Sequence, residues 1–297
     1  MRLDVLAVGN INVDVSFFVE GMPEPDDETF ARDFAIFQGG SAANFAVGAA
    51  RLGLRTGILG CVGADPLGRE ALKLLRVENV STDFVRVSKR RRTGTVCVLV
   101  ERSGVRRMIA YRGANEELNA LVRGEIPQAK FVQLCNVSRG VLGAVLRGKG
   151  KRKGKIILDP GGGSKDLRIE NLRGVDLLLV NELECKNLTG ADYEGGSEIL
   201  SRHVGTVVVK LGGRGAFIKD GEDKAYQEAF PAKVVDTTGA GDAFNAGFVA
   251  ALCNGKSGKD CLLWGNAVAA LKIRSKGART GLPTLKDLAA FLREMRS

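Results

Sequence analysis

Histidine is all but missing from this chain of 297 residues, His203 being the only one. An imidazole-centred catalytic triad has that single candidate, on a helix-like stretch with no other chemical signal, and a zinc site built on several histidines is excluded. The six cysteines, Cys61, Cys97, Cys135, Cys185, Cys253 and Cys261, never fall in a C-x-x-C spacing. They argue against a zinc site or a disulfide framework and read as reduced, mostly buried thiols. No apolar run is long enough to span a bilayer, and residues 1–9 read as a strand entering a fold, without the pattern of a signal peptide. A cytoplasmic protein with no membrane contact is expected. The chain also lacks both G-x-G-x-x-G and G-x-x-x-x-G-K-[ST], which leaves a Rossmann dehydrogenase and a P-loop kinase without support.

Basic residues are in excess, with a formal net charge of +10. Their clusters are Lys89-Arg90-Arg91-Arg92 and the run over residues 147–155. In a nucleic-acid binder such clusters would be interleaved with aromatics. Here both fall between apolar segments, where solvated turns are expected, and a basic field also suits an enzyme that attracts ATP. Nucleic acid is not an expected partner.

The length allows a substantial core within one α/β unit. Residues 4–9, 56–62, 131–135, 155–158, 177–180 and 206–211 are short apolar runs, the pattern of strands buried on both faces. Helices are expected over 66–77, 139–146, 182–188, 259–275 and 285–295, and a hairpin over 216–226. This alternation predicts a mostly parallel sheet with helices on both faces. Four segments alternate apolar and polar residues instead: 15–19, 29–37, 93–100 and 105–111. The last two are joined by Glu101-Arg102-Ser103-Gly104, which has hairpin composition. Together they predict a second, small sheet beside the body, suited to act as a lid.

The stretch with the most chemistry is Asp236-Thr237-Thr238-Gly239-Ala240-Gly241-Asp242. Residues 233–235 read as a strand and 243–252 as a helix, which places the string at a strand-to-helix turn. Gly239 and Gly241 let the backbone turn sharply and approach a ligand. The amides of Gly239, Ala240 and Gly241, with the helix dipole, form an anion site. Asp242 lies in the first helical turn, where its carboxylate can take a proton from an attacking hydroxyl.

Gln38-Gly39-Gly40-Ser41-Ala42-Ala43-Asn44 is another helix entrance, with Ser41 as N-cap and Gly53 as the stop. Its paired glycines expose amides suited to a polyol or a phosphate. At Asn181-Glu182-Leu183-Glu184, Asn181 and Glu184 have the spacing of a capping box. The same two side chains suit water-mediated binding of Mg²⁺, which needs few protein ligands.

The D-T-x-G-A-G-D string resembles the C-terminal signature of the ribokinase-like (PfkB) carbohydrate kinase family, and the resemblance extends over nearly the whole chain. Asn12 and Asp14 match the family's N-terminal N-x-D, whose aspartate binds substrate hydroxyls. Gly39, Gly40 and Asn44 match the first signature, which contacts the sugar. Lys210-Leu211-Gly212-Gly213-Arg214-Gly215 matches the strand end along the nucleotide, Asn266 the helix residue beside the adenine, and Asp242 the catalytic base.

The resemblance implies an α/β fold, a three-layer sandwich whose mostly parallel central sheet is flanked by helices, with a small β-sheet lid. One unit spans residues 1–297, and the lid strands are inserted at about 13–37 and 93–112. It also implies ATP and Mg²⁺ as cofactors and a homodimer formed through the lid. A loop for a monovalent cation such as K⁺, not uniform in the family, would comprise Asp236, Thr238 and carbonyls between residues 273 and 280. Tyr111-Arg112 imitates a lid motif of acidic-sugar kinases, with Arg112 placed to pair a carboxylate. Asp159-Pro160-Gly161-Gly162-Gly163, however, lacks the D-x-N-x-R arrangement that supplies their second arginine, and Arg112-Gly113-Ala114-Asn115 is closer to ribokinases and nucleoside kinases.

The expected reaction is in-line transfer of the ATP γ-phosphoryl group to a primary hydroxyl of a sugar such as ribose or fructose. A nucleoside kinase of the same family is the alternative. From another class, a non-catalytic sugar or nucleotide sensor would have no need of Asp242, and a nucleic-acid binder would rest on the basic clusters alone.

Overall fold

The computed structural model describes residues 3–103, 105–124, 126–149 and 154–295. Gly104 of the expected hairpin turn and residues 150–153 of the second basic run lie outside them. In chain order, β1 (Leu3–Gly9) enters the main sheet, and β2 (Asn12–Val19) and β3 (Ala31–Gly39) leave it for a second sheet. The chain returns through α1 (Ser41–Arg51), β4 (Thr56–Gly63) and α2 (Pro66–Val77), followed by the short β5 (Val80–Ser81) and β6 (Val85–Ser88). β7 (Gly94–Glu101) and β8 (Arg106–Tyr111) complete the second sheet.

Then come α3 (Leu118–Leu121), β9 (Ala129–Cys135), α4 (Arg139–Arg147), β10 (Lys155–Asp159), β11 (Leu177–Asn181), α5 (Glu182–Thr189) and α6 (Tyr193–Ser201). β12 (Thr206–Lys210), β13 (Ala216–Asp220) and β14 (Asp223–Gln227) precede three helices, α7 (Ala240–Cys253), α8 (Gly258–Lys272) and α9 (Leu285–Glu294).

The main sheet runs β14-β13-β12-β11-β10-β9-β1-β4-β5, with β6 also paired to β4. It is parallel from β12 through to β5 and antiparallel only in the β12-β13-β14 meander. The continuous apolar runs are explained by its two covered faces, because successive side chains of a strand point to opposite sides. Val5, Ala7 and Val208 join the core under α1, α7, α8 and α9, whereas Leu6, Val8, Val207 and Val209 join the core under α4, α5 and α6. Each such side chain contributes about 1.5–3 kcal/mol on burial, so neither face can be left bare.

The second sheet is ordered β3-β2-β7-β8, parallel between β2 and β7 and antiparallel elsewhere. Asn12 pairs with Gly39 on one side and Gly94 on the other, at the root where this lid joins the body.

α7 is the central helix of its layer. A side chain on Gly48 of α1 would come within 2.8 Å of Ala246, and one on Gly247 within 2.6 Å of the Trp264 carbonyl of α8. The three helices therefore pack closely only because these positions are small, and that packing fixes where the N-terminus of α7 points.

Two local expectations are corrected. Residues 233–235 form no strand. The amides of Val235 and Asp236 both donate to the carbonyl of Ile273, at 2.8 and 3.1 Å, so the segment hangs from a single anchor in place of a ladder. Gly40, with φ 90°, caps α1, and Ser41 is its first helical residue. A Cβ at Gly40 would sit 2.4 Å from the Asn10 carbonyl, which no serine could tolerate. Gly53, at φ 88°, ends the same helix as expected. The short β5, β6 and α3 and the helix α6 were not anticipated.

Candidate active site

In an open α/β sheet, ligands lie in the crevice beyond the carboxyl ends of the strands. In this chain those ends are Gly9, Cys135, Asp159, Asn181 and Lys210, the last residues of β1, β9, β10, β11 and β12. A cleft of about 510 Å³ is bounded by the lid residues Asn12, Asp14, Ser16, Phe18, Val96, Val98, Val100, Arg106 and Met108, and by Gly40, Asn44, Thr238, Gly239 and Asp242 of the body. The even-numbered lid positions face it because strand side chains alternate.

At the entrance of α7, Gly239 takes the left-handed conformation, φ 75°, and no side chain caps the helix. The Ala240 amide closes the turn by donating to the Thr237 carbonyl at 3.1 Å. The amides of Gly239 and Gly241 have no acceptor among the described residues. Free amides at a helix start, in the positive field of its dipole, attract anions.

Asp242 stands beside them and accepts a hydrogen bond from Asn44 Nδ2 at 2.9 Å. Burial raises its pKa to about 7, with Asp159 adding to the rise and Asn44, Lys210 and Arg279 opposing it. The amide of Asn44 is itself oriented, since its Oδ1 accepts from Arg279 Nε at 2.9 Å. Arg279 Nη2 also donates to the Gly39 carbonyl at 2.6 Å. Burial lowers the Arg279 pKa to about 10, against the pull of Asp14, Asp242 and Glu78.

Asp14 fills the space that a side chain on Gly39 would take, its Oδ2 lying 2.3 Å from where that Cβ would be. Burial pushes its pKa up to about 6, opposed by Arg279, and its Oδ1 is buried without any partner. A buried acceptor facing a cleft with no donor is costly until a ligand supplies one. Asn12 is held by Asn115, whose Nδ2 donates to Asn12 Oδ1 at 2.9 Å while its own Oδ1 accepts from the Ile11 amide at 3.0 Å.

A second group of charges lies along the strand ends. Lys210 Nζ pairs with Asp159 Oδ2 at 2.6 Å, and Asn245 of α7 donates to the same oxygen. Burial works against the Lys210 charge, but Asp159, Glu184 and Asp242 outweigh it and leave its pKa raised. Asn181 and Glu184 do form the capping box: Oδ1 of Asn181 accepts from the Glu184 amide at 2.8 Å, and Oε2 of Glu184 from the Asn181 amide at 2.9 Å. Burial and the neighbouring Asp159 raise the Glu184 pKa.

Further along, Gly212 and Gly213 border open space, whereas a side chain on Gly215 would strike the Gln227 carbonyl at 2.1 Å. Asn266 donates to the carbonyls of Gln227 and Glu228, at 2.9 and 3.0 Å, tying the exit of β14 to α8.

Arg112 lies outside the lining of this cleft. β8 ends at Tyr111, Arg112 takes helical angles (φ −68°, ψ −35°), and it is exposed outside the lining. Arg106, at the start of the same strand, reaches in instead: its Nη1 donates to Thr238 Oγ1 at 2.9 Å and lies 3.6 Å from Asp236 Oδ1. Asp236 also accepts from the Thr238 amide and hydroxyl, at 2.9 and 2.7 Å, and from the Gly277 amide at 2.8 Å. Sequence reading missed Arg106, Asn115, Asp159, Asn245 and Arg279. Asp159 carried a signal, a lone acid closing a wholly apolar strand just before Pro160-Gly161.

A carboxyl group of near-neutral pKa beside free helix-start amides, under a lid, is an arrangement for moving an anionic group onto a hydroxyl. The family model for pfkB family carbohydrate kinases matches residues 2–285. The chain belongs to this family. It is a kinase, a phosphotransferase with an alcohol group as acceptor. It is 29% identical to a ribokinase of Haemophilus influenzae, covering 98% of this chain and 99% of that protein.

Among solved structures it is similar to a nucleoside kinase of Methanocaldococcus jannaschii, with TM-score 0.89, 25% identity and 99% of each chain covered. It is equally similar in extent to an Arabidopsis thaliana ribokinase complexed with ribose and ATP, with TM-score 0.85, 30% identity and 99% of each chain covered. The three-layer α/β fold with its separate lid sheet is thereby accounted for.

Proposed function

We propose that this kinase transfers the γ-phosphoryl group of ATP to a primary hydroxyl of a sugar of the ribose or fructose class, with Asp242 as the base. The observation that carries the reading is the half-buried, near-neutral Asp242 carboxyl beside the free amides of Gly239 and Gly241. A base is most effective when its pKa lies near the working pH. The chain then does little covalent work, and positioning and charge stabilisation do most of it. Asp14 receives a substrate hydroxyl on its orphaned Oδ1, Asn12 and the amide at Gly40 orient others, and Asn44 holds the base in place.

The nucleotide lies along Lys210, Gly212, Gly213 and Gly215, with Asn266 shaping the adenine end. Asn181 and Glu184 suit a hydrated Mg²⁺: each gives one oxygen to the capping box, and Glu184 Oε1 takes no donor among the described residues. When bound, that ion would neutralise phosphate oxygens. Lid closure over the cleft excludes water that would otherwise hydrolyse ATP.

A second reading, a nucleoside as acceptor, is favoured by one feature. Phe18, Val98, Val100 and Met108 make an apolar wall in the same cleft, onto which a base can pack. ADP release with ribose, fructose, adenosine, inosine and cytidine separates the two. Saturation by a free sugar is expected, and saturation by nucleosides alone would transfer the assignment to the second reading. Turnover that survived Asp242→Asn would overturn both.

A further inference from the structure

The loop that carries Asp236 and Thr238 is where the family resemblance places a monovalent cation, and the residues of this chain do not fit one. Lys272, at the end of α8, has no solvent exposure, and its ammonium donates to the main-chain carbonyl of Asp236 at 2.8 Å. The Asp236 carboxylate is taken by Thr238 and Gly277 and faces the Arg106 guanidinium. A carbonyl and a carboxylate that would attract a small cation are thus already engaged with donors, two of which carry positive charge. A third cation brought among them would meet repulsion from both.

A buried ammonium persists only where acceptors and negative charge hold it; burial pushes the Lys272 pKa down and Arg106 adds to the drop, while Asp236 and Asp242 oppose it and the Asp236 carbonyl accepts its hydrogen bond. The amides of Val235 and Asp236 hang from Ile273, the residue that follows Lys272, and the chain reaches Gly239 three residues after Asp236. A charge fixed at this point holds the approach to the anion-binding amides in register with α8.

We infer that the Lys272 ammonium is the built-in cation of this loop, so that this kinase needs no K⁺ or other monovalent ion. Lys272 is then a positioning residue, acting on the turn through the Asp236 carbonyl. The inference rests on the kinase reading only where turnover is measured.

The test compares the wild-type protein in KCl, NaCl and tetramethylammonium chloride at matched ionic strength, by thermal melting and by ADP release. The same Tm and a kcat/KM within about twofold in all three salts are expected. Lys272→Ala opens a cavity at the carbonyl and is expected to lower kcat/KM about tenfold or more in tetramethylammonium chloride, with KCl restoring activity and raising Tm. A purely structural lysine would not produce that ion-specific rescue. A rise of wild-type Tm or kcat/KM specific to K⁺ overturns the inference, and it does so even if the variant fails to fold. Melting reads ion binding without turnover, so inactivity toward every acceptor would count against the kinase reading and leave this one to be decided by Tm.

Discussion

Replacing Asp242 with asparagine separates what this residue does for catalysis from what it costs the fold. Its pKa in the folded chain is about 7 against an ordinary 3.8. Between those values the folded state keeps a proton that the unfolded chain has lost, so stability falls as pH rises through the window and the full cost is present above pH 7. A shift of about 3 units corresponds to about 4 kcal/mol. The carboxyl is half-buried and opens on the cleft, and water there reduces the cost to about 2 kcal/mol.

Asparagine carries no charge to desolvate, and its carbonyl can still accept from Asn44 Nδ2. For a chain of this length, Asp242→Asn is expected to raise Tm by about 3 °C at pH 8, with the gap closing by pH 4. Turnover should fall by about 10²–10⁴-fold in the same variant. Melting curves at pH 4 and 8, beside an ADP-release assay, read both effects. An unchanged or lower Tm at pH 8, or a gap that does not depend on pH, would refute the claim that burial of an ionised Asp242 strains this site.

Three further outcomes are expected. The kcat/KM profile should fall as pH drops below about 7, because the base must be deprotonated, and should steepen below about 6 where Asp14 takes up its proton; initial rates from pH 5 to 9 check it. Gly39→Ala puts a methyl group 2.3 Å from Asp14 Oδ2 and must displace that carboxylate, so KM for the sugar should rise about tenfold or more with the KM for ATP little changed. Arg106→Gln removes the lid's contact with Thr238 and Asp236. Such a half-exposed pair contributes less than about 1 kcal/mol to stability. Tm should hold, while ADP release in the absence of any acceptor should increase as the lid fails to exclude water.

The parts of this fold that were legible in the sequence are those written by local periodicity. Continuous apolar runs such as Leu177–Asn181 and the alternation of the lid strands follow from which faces are covered, and that is a property of neighbours along the chain. The turn at Gly239 and the capping box of Asn181 and Glu184 are equally local, since their bonds span only a few residues. Residues 233–235 mislead for the complementary reason: valines beside a turn look like a strand, but no strand among the described residues pairs with them, and the carbonyl of Ile273 decides their path.

The site residues that sequence reading missed have their partners far away in the chain. Arg279 orients Asn44 across 235 positions, and Arg106 meets Thr238 across 132. Arg112 was the arginine that a motif could single out, yet the same strand delivers Arg106 to the cleft, because which side chain points inward is settled by where β8 ends. Lys272 is the clearest case. A lysine near a helix C-terminus ordinarily complements the dipole in water, and only the fold of residues 236–277 over it turns that commonplace position into a buried charge. Local motifs in such a chain mark candidate groups for a ligand, while the residues that set their charge and orientation become visible only when distant segments are brought together.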